Sequence, residues 1–132
     1  MKLSSSLCKK IECLGVVGVY LFGSQAQEIA GKESDFDFGI LLKKPFVIKE
    51  ESMGLYQKIY ELLEELAPGK NLDIVFLDRA PLQLRYHVLR CGQALYTGDA
   101  AVRAHFEERT LEEYADFEPY RRLFEQATLA QI

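Results

Sequence analysis

The spacing of apolar residues changes period several times along the chain, and each change marks an element. Leu7, Ile11 and Leu14 recur at i, i+4 and i+7 behind the serines Ser4 to Ser6. This predicts a short helix capped by serine and stopped by Gly15. Gly15 to Phe22 is rich in β-branched and aromatic residues and ends at Gly23-Ser24, the pattern of a buried strand. Gln25 to Lys32 predicts one or two helical turns. Asp35 to Lys43 alternates instead: Phe36, Phe38 and Ile40 point one way, Asp35, Asp37 and Gly39 the other. After Pro45 a helical period returns over residues 49–66, with Leu55, Ile59, Leu62, Leu63 and Leu66 as its apolar stripe and Pro68-Gly69 at its end.

Leu72 to Leu77 predicts a third strand, interrupted by Asp73. Asp78 is expected to cap the next helix, with Pro81 in its first turn and Gly92 just past its end. Gln93 to Tyr96 predicts a short strand. From Asp99 the pattern is helical through Val102, Phe106, Leu111 and Tyr114, until Pro119 is expected to bend or break it before a last turn around Leu123 and Phe124. The order implies an α/β (α+β) domain, a small mixed β-sheet with helices packed against it. No repeat, linker or composition break appears, so residues 1–132 are expected to form one domain, with a core over residues 15–100 and a C-terminal helical segment over residues 99–130.

Composition narrows the function classes. The chain has 132 residues, 48% hydrophobic and 27% charged, which excludes a disordered or low-complexity polymer. A formal charge of −4 argues against a broad basic face for duplex nucleic acid, while a single nucleotide can still bind through a metal. Cys8, Cys13 and Cys91 are odd in number and contain no CxxC pair, so reduced thiols are expected rather than disulfides or structural zinc. Lys9 and Lys10 before the run Leu14 to Phe22 imitate a leader sequence. However, Glu12 interrupts the approach, Gly15 and Gly18 dilute the run, and it is too short to span a bilayer. A cytoplasmic protein with no membrane partner is expected.

The chemistry concentrates in Gly23-Ser24, a gap of ten residues, and Asp35-Phe36-Asp37. A glycine at a strand end lets the backbone turn sharply and leaves no Cβ to obstruct a bulky anion. Ser24 opens a predicted helical turn, where its hydroxyl and the following amides can donate to phosphate oxygens. Asp35 and Asp37, two apart on a strand, project from one face about 6.7 Å apart at the backbone. Asp73 supplies a third acid if its strand pairs beside theirs. Three unpaired carboxylates are a poor structural device but suit one or two Mg²⁺ ions, which favour hard oxygen donors. A pair of such ions can activate a hydroxyl and stabilise a departing pyrophosphate.

At these residues the chain resembles the nucleotidyltransferase superfamily that includes DNA polymerase beta and kanamycin nucleotidyltransferase. It is particularly similar to the minimal MNT branch. The resemblance lies in Leu21-Phe22-Gly23-Ser24-Gln25-Ala26, Ser34-Asp35-Phe36-Asp37-Phe38-Gly39-Ile40-Leu41, Leu72-Asp73-Ile74-Val75 and Leu95-Tyr96-Thr97-Gly98-Asp99. It implies a nucleotidyltransferase fold, with Asp35 and Asp37 as metal ligands. Asp73 would be the third carboxylate, holding the catalytic metal or accepting the attacking hydroxyl's proton. Gly23 and Ser24 would hold the triphosphate of ATP. Minimal members of this branch commonly act as antitoxins of HEPN-domain ribonuclease toxins, transferring AMP from ATP to a toxin tyrosine. Many members place an Arg-Gly pair shortly after Gly-Ser; here those positions are Gln27 and Glu28, with Lys32 nearby. The short chain leaves little for an acceptor-binding wall, which suits a protein acceptor. Two other readings stay open: an inactive antitoxin that neutralises by occlusion, and an aminoglycoside-type small-molecule nucleotidyltransferase.

Residues outside this set are weighed more simply. Glu107, Glu108, Glu112, Glu113, Asp116 and Glu118 crowd one helical segment beside Arg109, either as a solvated face or as a docking surface for a basic partner. Tyr114 and Phe117 are expected to pack in the core, with Tyr120 and Phe124 open to either core or interface. Tyr56 and Tyr60 read as packing residues. His87 and His105 lack acidic or cysteine partners at ligand spacing and carry no metal or base role.

Overall fold

A computed structural model of the chain describes residues 2–23, 35–44 and 49–130, with side chains described over 2–23, 35–44 and 53–127. Ser24 and the expected turns over residues 25–32 lie outside the described residues. Helix α1 (Ser5–Cys13) opens on Ser4, whose side chain accepts the amide of Leu7 at 3.2 Å, and Gly15 leaves it with φ +81°. Strands β1 (Val16–Phe22) and β2 (Phe36–Leu42) precede helix α2 (Lys49–Glu64). Strand β3 (Leu72–Phe76), a 3₁₀ turn (Leu77–Arg79), helix α3 (Leu82–Cys91), strand β4 (Gln93–Thr97) and helix α4 (Ala100–Ala130) follow. Asp99 caps α4, its carboxylate accepting the amides of Ala101 and Val102 at 3.0 and 3.2 Å.

The sheet order is β3-β2-β1-β4, mixed as expected. β1 lies antiparallel to both β2 and β4, and α2 provides the crossover that lets β3 lie parallel to β2. One face of the sheet carries Val19, Leu21, Phe38, Ile40 and Ile74 against Leu7 and Ile11 of α1 and Ile59 and Leu63 of α2. The other carries Val17, Tyr20, Phe22 and Leu41 against Leu77, Val88 and Phe106. Phe38, Ile40, Leu63, Leu77 and Val88 are fully enclosed, each worth about 1.5–3 kcal/mol relative to exposure. A register shift between Val16 and Gly18 flips the parity of β1, so that Val16 and Val19 share a face. A strand that is apolar on both sides gives no alternation from which to read such a bulge.

Two local expectations are corrected. Asp78 does not cap α3. It sits in the 3₁₀ turn, its carboxylate accepting the amide of Leu42 at 3.3 Å, and Pro81 precedes α3 without a side-chain cap. Leu77, enclosed behind Gly39, anchors the turn against the sheet and brings Asp78 to the end of β2 rather than to the helix. Pro119 does not end its helix, which runs through it from Ala100 to Ala130. The missing N–H costs one bond to the preceding turn. Ion pairs from Glu118 to Arg121 and Arg122, and from Arg121 to Glu125, tie the turns around it together. Tyr114 and Phe117 are half-buried, Tyr114 stacked on Tyr86 with ring centroids 3.5 Å apart. No described helix is long and apolar enough to cross a membrane.

Candidate active site

The end of β1, the start of β2 and the start of β3 meet at one edge of the sheet. In register, Phe22 of β1 faces Asp37 of β2, and Asp37 faces Asp73 of β3. Phe36 and Phe38 turn toward the α1 and α2 side, their rings stacked 6.3 Å apart, which sends Asp35 and Asp37 to the opposite face. Leu72 and Ile74 are buried on that same α1 and α2 side, so Asp73 between them is exposed toward the other acids. The condition set by the sequence, that the third acid should lie beside the first two, is met by a direct cross-strand pair.

The proximity has an electrostatic consequence. Burial raises the pKa of Asp37 above the ordinary carboxylate value, and the negative charges of Asp73 and then Asp35 raise it further. No lysine or arginine among the described residues forms an ion pair with any of the three. Nor are three His, Cys, Asp or Glu side chains among the described residues gathered tightly enough to clasp a metal. The donor set is chemically suited to a hard divalent cation, being carboxylate oxygens on a single face.

Gly23 completes this corner. It has φ +77°, and a Cβ there would overlap the carboxylate of Asp37. Only glycine satisfies both demands, so the backbone reaches the acid with no side chain between. Gly23, Asp35, Asp37 and Asp73 are therefore brought together, while Ser24 lies outside the described residues. His87 is exposed and makes an edge contact with Phe22 at 6.5 Å.

One neighbour of the acids was not legible in advance. Tyr56 of α2 stacks on Tyr60 and meets Phe76 edge-on, each at 6.3 Å. Its hydroxyl accepts the backbone amide of Ile74, next to Asp73, on the free edge of β3. Burial and the charge of Asp73 raise its pKa. The i, i+4 spacing of Tyr56 and Tyr60 indicates packing, which is observed. It carries no information about which strand edge the helix will cross.

The polymerase beta nucleotidyltransferase family model matches residues 5–101. No curated protein matches the sequence significantly. Among solved structures, a chain of a toxin–antitoxin crystallised with AMP-PNP is 24% identical, with a TM-score of 0.68 over 92% of this chain and 97% of its own. A chain of the tri-AMPylated Shewanella oneidensis HEPN toxin in complex with MNT antitoxin is 21% identical, with a TM-score of 0.64 over 96% of this chain and 99% of its own. A chain of the MntA-HepT toxin–antitoxin matches to the same extent, at 21% identity and a TM-score of 0.64. These likenesses are of fold, and the family match spans every strand that builds the acidic corner. The chain belongs to the polymerase beta nucleotidyltransferase family.

Proposed function

We propose that residues 1–132 act as one nucleotidyltransferase domain that transfers AMP from ATP to a tyrosine hydroxyl of a HEPN-domain toxin, and so serve as its antitoxin in the cytoplasm. The cross-strand pair Asp37–Asp73, with Asp35 on the same strand face and Gly23 against it, carries this reading. The AMP-PNP complex and the tri-AMPylated HEPN toxin complex among the fold relatives support the choice of donor and acceptor.

In the reaction, the acceptor oxygen forms a bond to the α-phosphorus, the bond from that phosphorus to the pyrophosphate oxygen breaks, and the hydroxyl proton leaves. Asp73, exposed and in no ion pair with the described residues, accepts that proton. Gly23 lets the triphosphate approach the main chain, and Ser24 donates its hydroxyl and amide to phosphate oxygens. Asp35, Asp37 and Asp73 would hold one or two Mg²⁺ ions, which when bound neutralise phosphate charge and polarise the α-phosphate.

The test incubates the chain with labelled ATP, Mg²⁺ and its HEPN partner. The wild type should label the partner, and Asp35→Asn with Asp37→Asn should lower labelling by at least a hundredfold. Equal labelling by that double variant would falsify the catalytic reading. Labelling of an aminoglycoside without any protein partner would replace it with the small-molecule alternative. Full neutralisation by a chain that never labels would favour occlusion.

A further inference from the structure

Helix α4 has 31 residues and is about 46 Å long, and among its described side chains the buried ones lie in its first half. Phe106 and Thr110 are buried. The hydroxyl of Tyr20 reaches Glu107 at 3.1 Å, and Arg85 reaches Glu113 at 2.7 Å. Beyond Pro119 the described side chains are exposed, with Arg121 alone partly covered. Tyr120 and Leu123 are each 62% exposed and Phe124 is 71% exposed. Three large apolar side chains within five residues are more than the scattered exposure a surface ordinarily carries.

The acids on this helix divide into two sets. Glu107 pairs with Arg103, Glu113 with Arg85 and Arg109, Glu118 with Arg121 and Arg122, and Glu125 with Arg121. Glu108, Glu112 and Asp116 are exposed and form no ion pair with the described residues. These three fall at i, i+4 and i+8, and the same row continues through Tyr120 to Phe124, with Leu123 beside it. One ridge of the i±4 kind therefore changes from acidic to aromatic along its length. Like charges four apart weaken an isolated helix, so the acidic half opposes the stability of the element that carries it. A solvated face needs no such alignment. A surface that meets an opposite charge pattern does.

We propose that the ridge Glu108–Glu112–Asp116–Tyr120, with Leu123 at its flank, is where this chain docks its HEPN-domain partner. It would meet there a helix that presents lysine or arginine to the acids and apolar side chains to Tyr120 and Leu123. This rests on the antitoxin reading above. The ridge lies on α4, which contributes no residue to the acidic corner, so binding and transfer are separable by mutation.

The experiment titrates the full-length chain against the HEPN partner at several salt concentrations, with circular dichroism as a check on folding. A triple variant, Glu108→Gln, Glu112→Gln and Asp116→Asn, should weaken binding about tenfold at low salt and flatten the salt dependence. It removes two repulsive i, i+4 pairs, so unfolding of α4 cannot explain the loss. Leu123→Ser should weaken binding about tenfold at every salt concentration. If the wild type binds and both ridge variants bind equally well with the same salt slope, the ridge is not the docking surface, while the antitoxin reading stands. If the wild type binds no HEPN partner, the functional reading fails and the ridge assignment falls with it. If the chain alone sediments as a dimer that Leu123→Ser dissociates, a second copy covers the ridge and the assignment is overturned.

Discussion

Asp37→Asn separates the demands of the fold from those of the site. Asp37 lies directly across from Asp73 and shares a strand face with Asp35, with no cation paired to it among the described residues. At about 6 Å and an effective dielectric of roughly 40–80, each like-charge contact costs about 0.7–1.4 kcal/mol. The exposure of Asp35 and Asp73 and the salt of the buffer reduce the total relief on neutralising Asp37 to about 1 kcal/mol. For a chain of 132 residues that is a rise of about 4 °C in Tm. The pKa of Asp37 is raised in the folded state, so its ionised form costs stability at every pH above that raised value. The cost disappears as pH falls through the folded pKa and is gone below the ordinary carboxylate value. The variant should therefore melt above the wild type near neutral pH and converge with it in acid. Calorimetry of the metal-free proteins from neutral to acidic pH measures both. Adding Mg²⁺ should raise the wild-type Tm more than that of the variant. A variant that melts below the wild type at neutral pH, or a gain that survives unchanged in acid, would show that like-charge strain is not what shapes this corner.

Three further outcomes are expected. Gly23→Ala, at φ +77° and against the Asp37 carboxylate, should lower stability by about 2 kcal/mol in urea titration. It should also weaken AMP-PNP binding at least tenfold by calorimetry. Tyr20→Phe removes the hydroxyl held by Glu107 and should cost about 1 kcal/mol. Tyr20 has its pKa pushed up to about 12 by burial and by Glu107, so its contribution is complete below the ordinary tyrosine value and lost as pH rises toward 12. Alkaline denaturation of wild type and variant should converge in that window. Tyr56→Phe frees the Ile74 amide on the edge of β3. It should speed hydrogen exchange at that amide about fivefold with little change in global stability; an unchanged exchange rate would remove Tyr56 from the site's support.

Much of the fold was legible because its determinants are local. Ser4 and Asp99 cap helices by contacts within three residues, and the alternation of Phe36, Asp37 and Phe38 assigns faces without knowing what covers them. The misreading of Asp78 came from a distant partner, that of Pro119 from its neighbours in the helix. Asp78 has a good capping side chain, but the amide it meets belongs to Leu42, 36 residues away. Pro119 breaks helices in isolation, yet here Glu118 reaches across it to Arg121 and Arg122. Tyr56 carried no signal, because a residue on a helix stripe does not reveal which strand edge that stripe will cross.

Period and identity alone therefore gave a mixed α/β domain, a glycine at a strand end, and two acids on one strand face. They could not give the strand that lies next to β2. That depends on α2 crossing over and laying β3 parallel, an arrangement bought by burying Phe38, Ile40, Ile59, Leu63 and Ile74 together. Long-range burial fixes register, and register puts Asp73 opposite Asp37. The chemistry was written in the residues, and the distance between them was set by the core.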